Sequence, residues 1–73
     1  MERTIVFPER ELHYQHEEKS VKNINIRIRP DMTVYVSSNP QTQLSEVEKV
    51  LTEKKAYIFA ALDRYAEMKK YAS

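Results

Sequence analysis

The residues that come nearest to a catalytic pattern are His16-Glu17-Glu18-Lys19-Ser20. They open like the HExxH of zinc peptidases, in which two histidines one helical turn apart hold the metal and the glutamate activates water. Here the fifth position is Ser20, and the alternation of ELHYQHE marks the end of a strand, so the second ligand and the helical spacing both fail. With two histidines and no cysteine, a closed structural zinc site is not available from the preferred ligands. His13 beside Glu11 or Glu17 reads as a solvated local pair. The carboxylate pairs Glu17 with Glu18 and Glu46 with Glu48 mark a loop and a helix start better than acid–base chemistry. No Ser, His and Asp arrangement can be inferred, so neither a catalytic residue, a metal ligand nor a cofactor is expected in this chain.

A second chemistry is charge. Lys22, Arg27 and Arg29, with Lys19 nearby, fall on or beside one hairpin, and Tyr35 on the returning strand offers a ring for stacking. This reads either as a basic sheet surface for nucleic acid or as a solvated face kept charged against edge aggregation. Twelve basic against eleven acidic residues leave a net charge of +1, and no paired aromatics of the RNA-recognition type accompany the arginines. The solvated face is favoured and nucleic acid is not an expected partner.

Those residues are carried by a stretch around which the chain is organised, Val21 to Pro40. Ile24, Ile26 and Ile28, then Met32, Val34 and Val36, recur every second residue, with Asn23, Asn25, Arg27 and Arg29 between the isoleucines. That period predicts a half-buried antiparallel hairpin turning at Pro30-Asp31, where proline suits the first central position of a type I turn and aspartate the second. Upstream, Leu12, Tyr14 and His16 share one side of a strand over Glu11 to Glu17, and Thr4 to Phe7 is a short edge strand or a tail. The sequence contains no glycine, which excludes glycine-rich phosphate loops. No apolar run has the length of a membrane span or signal core. The chain is read as unexported, cytoplasmic and free of membrane contact.

From Ser45 the period becomes helical. Ser45 followed by Glu48 has the form of a capping box. Val47, Val50, Leu51, Ile58, Ala61, Leu62 and Tyr65 form the main apolar stripe, and Ala56, Phe59 and Ala60 lie off it. The expected fold is α+β, one module over residues 1–73. It comprises a three- or four-stranded antiparallel sheet in 1–40, a loop in 41–44 and a long helix over 45–72 packed across one face. About 27 helical residues span roughly 40 Å, whereas a seven-residue strand reaches only about 23 Å. The helix must therefore overhang the sheet from Asp63 onward. Phe59, Tyr65, Met68 and Tyr71 are accordingly expected to be poorly buried and to form an interaction surface.

The order of elements resembles the N-terminal part of the YgjP-like metal-dependent hydrolases, a zincin group related to the SprT-like and WLM families. The matching residues are Lys22, Ile24, Ile26, Arg27, Ile28, Asp31, Val34, Val36 and Pro40 in the hairpin, then Lys54, Tyr57, Ile58 and Leu62 on the helix. The likeness covers about Leu12 to Tyr65. It departs where Met32 replaces the family's turn glycine and Tyr57 its tryptophan, and the zinc-binding half of the pattern is missing. The resemblance implies a non-catalytic N-terminal module or fragment of a zinc-dependent hydrolase, with structural or substrate-positioning work. Zinc would belong to a downstream catalytic domain, which would be this chain's partner. The alternatives are a stand-alone interaction protein that dimerises through its helix and, less favoured, a nucleic-acid binder using Lys22, Arg27, Arg29 and Tyr35.

Overall fold

A computed structural model describes residues 1–72, with side chains described through Lys69. The strands are β1 (Glu2–Val6), β2 (Glu11–Glu18), β3 (Asn25–Ile28) and β4 (Val34–Ser38), followed by the helix α1 (Leu44–Ala72). The fold is α+β, as the change of period predicts, and the N-terminal segment is a strand, though it begins at Glu2 and leaves Phe7 outside it.

The sheet is mixed rather than antiparallel throughout. Its order is β1-β2-β4-β3; β2 pairs in parallel with β4, in the register His16 with Val36, while β1–β2 and β3–β4 are antiparallel. The burial of the two hairpin strands explains the choice. Val34, Val36 and Ser38 of β4 are buried, whereas Ile24, Ile26 and Ile28 are only half-buried. The strand that can surrender its whole inner face to the core therefore takes the central place. The short β3, with its asparagine and arginine, takes the edge, where charge blunts unwanted pairing. The isoleucine row is thus the margin of the floor and not its centre.

That centre is Leu12 and Tyr14 of β2 with Val34 and Val36 of β4, against which Val47, Leu51, Ile58 and Leu62 of α1 pack. Apolar burial of this kind is worth about 25 cal/mol per Å² and is the main cohesive force in a domain this small. One helix flank carries Phe59, which is buried and not poorly covered as expected: it is 9% exposed. Its ring meets Phe7 edge to face at 5.9 Å between centroids, and the Arg10 guanidinium lies over it at 4.4 Å. The β1–β2 turn closes over this flank, held by Lys55–Glu9 and Arg10–Asp63 ion pairs, each at 3.0 Å.

The two ends of the hairpin region differ in detail from expectation. At the turn, Met32 N donates to Arg29 O at 2.8 Å and Arg29 N donates to Thr33 O at 3.0 Å. This is a three-residue loop in which Met32, at φ 71°, occupies the left-handed position, the arrangement of a type I turn followed by a bulge. Met32 thus belongs to the turn, 37% exposed, and not to the apolar row of β4. At the helix start, Gln43 rather than Ser45 is the cap: Glu46 N and Val47 N donate to Gln43 O at 3.0 and 3.3 Å. Ser45 already lies within the helix, so the capping box does not form.

Candidate functional site

The buried face of the sheet holds one polar constellation. His16 and Ser38 come from adjacent parallel strands, and alternation turns both toward the helix. The His16 Nε2 and Ser38 Oγ atoms are 2.7 Å apart, and Arg3 Nε donates to His16 Nδ1 at 3.2 Å. A serine–histidine pair invites comparison with a nucleophile and its base. In that chemistry the histidine keeps a proton on the far nitrogen and accepts one from the serine. Here the far nitrogen accepts from Arg3, so the remaining proton sits on Nε2 and is donated to Ser38. The ring cannot then take the serine proton. Ser38 is also 0% exposed, beyond the reach of a substrate. Burial first, and the Arg3 charge second, press the His16 pKa below its ordinary value, which keeps the ring neutral. The pair is a polar clamp between β2 and β4. Sequence periodicity turned His16 inward but could not bring it to Ser38, because that meeting depends on the parallel pairing.

The opposite face of the sheet is open. Lys19, Arg27, Arg29 and Tyr35 line a broad hollow of about 620 Å³ together with Glu17 and Ser37. The register explains the cluster: Arg27 lies opposite Tyr35 on β4, and Tyr35 opposite Gln15 on β2. Within it, Lys19 pairs with Glu17 at 3.1 Å, and Arg29 stacks over the Tyr35 ring at 5.3 Å. Lys22 does not join them. It lies in the bend before β3 and borders a separate hollow near the helix start, with Ile24, Glu46 and Val50.

The third candidate is the helix flank opposite Phe59. Among the described residues, buried helix side chains end at Leu62, and the expected overhang from Asp63 is present. Val50, Lys54, Tyr57, Ala61, Arg64 and Met68 follow one another at alternating steps of four and three, which places them on one flank beside β3. Tyr57 is 69% and Met68 58% exposed. Ile24, Asn25, Ile26, Val50, Lys54 and Tyr57 line a groove of about 360 Å³ between strand and helix. Tyr57, Ala60, Ala61, Arg64 and Tyr65 frame a smaller hollow of about 140 Å³. Tyr65 is half-buried, and Tyr71 lies outside the residues whose side chains are described. Of the expected interaction surface the strip carries Met68, with Tyr65 beside it at the smaller hollow; it adds Tyr57 and Ala61 and leaves Phe59 on the other flank.

Among the described residues, no group of three or more His, Cys, Asp or Glu side chains converges as a metal site would require. No helix is long and apolar enough to cross a membrane among them either. Comparison with protein-family models, curated proteins and solved structures returns no match.

Proposed function

We propose that this chain is a non-catalytic docking module that holds a second protein domain along the β3-side flank of its helix. The observation that carries this reading is the strip from Val50 to Met68, which continues past the last buried residue, Leu62. Tyr57 and Met68 supply apolar contact, and the small Ala60 and Ala61 let a partner backbone approach. Lys54 and Arg64 interrupt the strip with positive charge. Two copies of the helix packed parallel would set Lys54 against Lys54 and Arg64 against Arg64. An antiparallel pair centred between Tyr57 and Ala61 would set Lys54 against Arg64. Like charges so placed oppose self-association, which favours a different, acidic partner over the helix-mediated homodimer.

The residues shared with YgjP-like hydrolases support a finer reading, in which that partner is a zinc-bearing catalytic domain and the module acts with it in the cytoplasm. The test begins with the coding sequence beyond Ser73, where an HExxH with a third ligand is expected. With that domain attached, Tyr57→Lys and Met68→Lys are expected to loosen the junction to limited proteolysis while leaving the melting of the isolated module unchanged. Absence of the motif overturns the hydrolase reading. An unaltered junction in both variants overturns docking through the helix. In sedimentation the module should be a monomer; a dimer abolished by Met68→Lys would establish the homodimer instead.

A further inference from the structure

The free edge of β3 borders the same groove and shares Val50, Lys54 and Tyr57 with the helix strip, but it adds a backbone chemistry that the strip lacks. Arg29 N donates to Thr33 O, and the register pairs Arg27 with Tyr35 and Ile28 with Val34. In an antiparallel ladder, hydrogen-bonded and non-hydrogen-bonded pairs alternate. Arg29, Arg27 and Asn25 therefore spend their backbone groups on β4. Ile26 and Ile28 direct theirs outward, along an edge that has no neighbouring strand among the described residues. The side chains on the two sides of this edge differ sharply. On the helix side lie the half-buried Ile24, Ile26 and Ile28, with Val50, Tyr57 and the stem of Lys54 across the groove. On the open side lie Arg27 and Arg29.

We infer that the β3 edge accepts an extended segment of another protein as a fifth strand, and that the segment alternates apolar and acidic residues. Backbone pairing to Ile26 and Ile28 supplies the attachment. Because successive side chains of a strand point to opposite faces, every second residue of the guest drops into the isoleucine–Tyr57 groove. The residues between them meet Arg27 and Arg29, where a carboxylate is favoured and a lysine opposed. A second copy of this chain does not satisfy the same rule. The antiparallel registers that pair Ile26 or Ile28 with themselves or with each other place Arg27 opposite or diagonal to Arg27 or Arg29 of the copy. The inference does not rest on docking along the helix.

The test uses the 73-residue chain and short capped peptides alternating valine with glutamate, or valine with lysine. The glutamate peptide is expected to bind and to protect the amides of Ile26 and Ile28 from hydrogen exchange, while that of Arg27, already paired, changes little. The lysine peptide should bind on the order of tenfold more weakly. The double variant R27E/R29E, altered only at exposed positions, should reverse that order. N-methylation of the glutamate peptide at the amides facing β3 should abolish binding. Met68→Lys should leave binding unchanged, which separates this edge from the helix strip. Equal binding of the two peptides, or binding without protection of Ile26 and Ile28, overturns the proposal. So does concentration-dependent protection of these amides in the absence of peptide, which would identify the guest strand as a second copy.

Discussion

His16 and Ser38 meet at 2.7 Å on the inner face of two parallel strands, and Arg3 decides which of them donates. With Nδ1 accepting from Arg3, the Nε2 proton has Ser38 Oγ as its partner. Ser38→Ala leaves a buried N–H without an acceptor, so a loss of about 1–3 kcal/mol is expected in urea unfolding. In a double-mutant cycle with His16→Phe the two effects should not add. Additive effects would mean that the contact contributes nothing of its own.

The same site gives the fold a pH response. The His16 pKa is lowered by burial and by the positive charges of Arg3 and the Met1 amino group, with Glu18 opposing. The unfolded chain therefore takes up a proton near pH 6.5 while the folded chain still refuses it. Stability is fully present above that value and falls as pH drops from it through the lowered folded value. The expected result is a fall in melting temperature between about pH 7 and pH 5 that is reduced in His16→Phe. An unchanged slope in that variant would assign the effect to other groups.

Among the described residues, Tyr14 carries the unmatched polar group of the core. Its ring is 2% exposed and its hydroxyl has no hydrogen-bond partner. Burial, and secondarily the charge of Glu48, raises its pKa. Because a buried unpaired hydroxyl costs about 1–3 kcal/mol, Tyr14→Phe is expected to stabilise the fold by about 1 kcal/mol. Loss of stability in denaturant unfolding would show that the hydroxyl has a partner in solution.

Local pattern alone was sufficient for much of this architecture. The two-residue period placed Leu12, Tyr14 and His16 on one face, and the length of the helix foretold its overhang beyond Leu62. What depended on distant contacts was not legible. The choice of β4 over β3 as neighbour of β2 turns on how completely Val34, Val36 and Ser38 can be buried. That choice created the His16–Ser38 pair and left β3 with an open edge. The burial of Phe59 escapes local pattern because its cover, Phe7, lies far away in the chain and reaches the helix only through the β1–β2 turn. The separation of Lys22 from Arg27 and Arg29 follows from the bend at Lys22-Asn23, where the strand period no longer holds.

The two helix flanks should differ sharply in their tolerance. Phe59 is enclosed by Phe7 and Arg10, so Phe59→Ala should cost about 3 kcal/mol through lost burial and the cavity left behind. Tyr57, on the other flank and largely exposed, should lose no more than about 0.5 kcal/mol as alanine. Chemical denaturation of the two variants checks this directly. Equal losses would place Tyr57 in the core and remove it from the docking strip.

Met32 holds a left-handed backbone, φ 71°, without the freedom of glycine. For a residue with a Cβ that conformation costs about 1–2 kcal/mol, whereas glycine adopts it freely but gives up about 0.5–1 kcal/mol more conformational entropy on folding. The Asp31 side chain already braces the turn by accepting from Thr33 N at 3.0 Å, and this bond lowers the Asp31 pKa. The loop should therefore keep its shape when Met32 is replaced. Met32→Gly is expected to stabilise the fold by about 0.5–1 kcal/mol, measured as a higher urea midpoint at unchanged slope. Met32→Val, β-branched and less tolerant of positive φ, should destabilise it. If valine were as good as methionine and glycine worse, the Met32 side chain would be contributing contacts that outweigh the strain of its backbone.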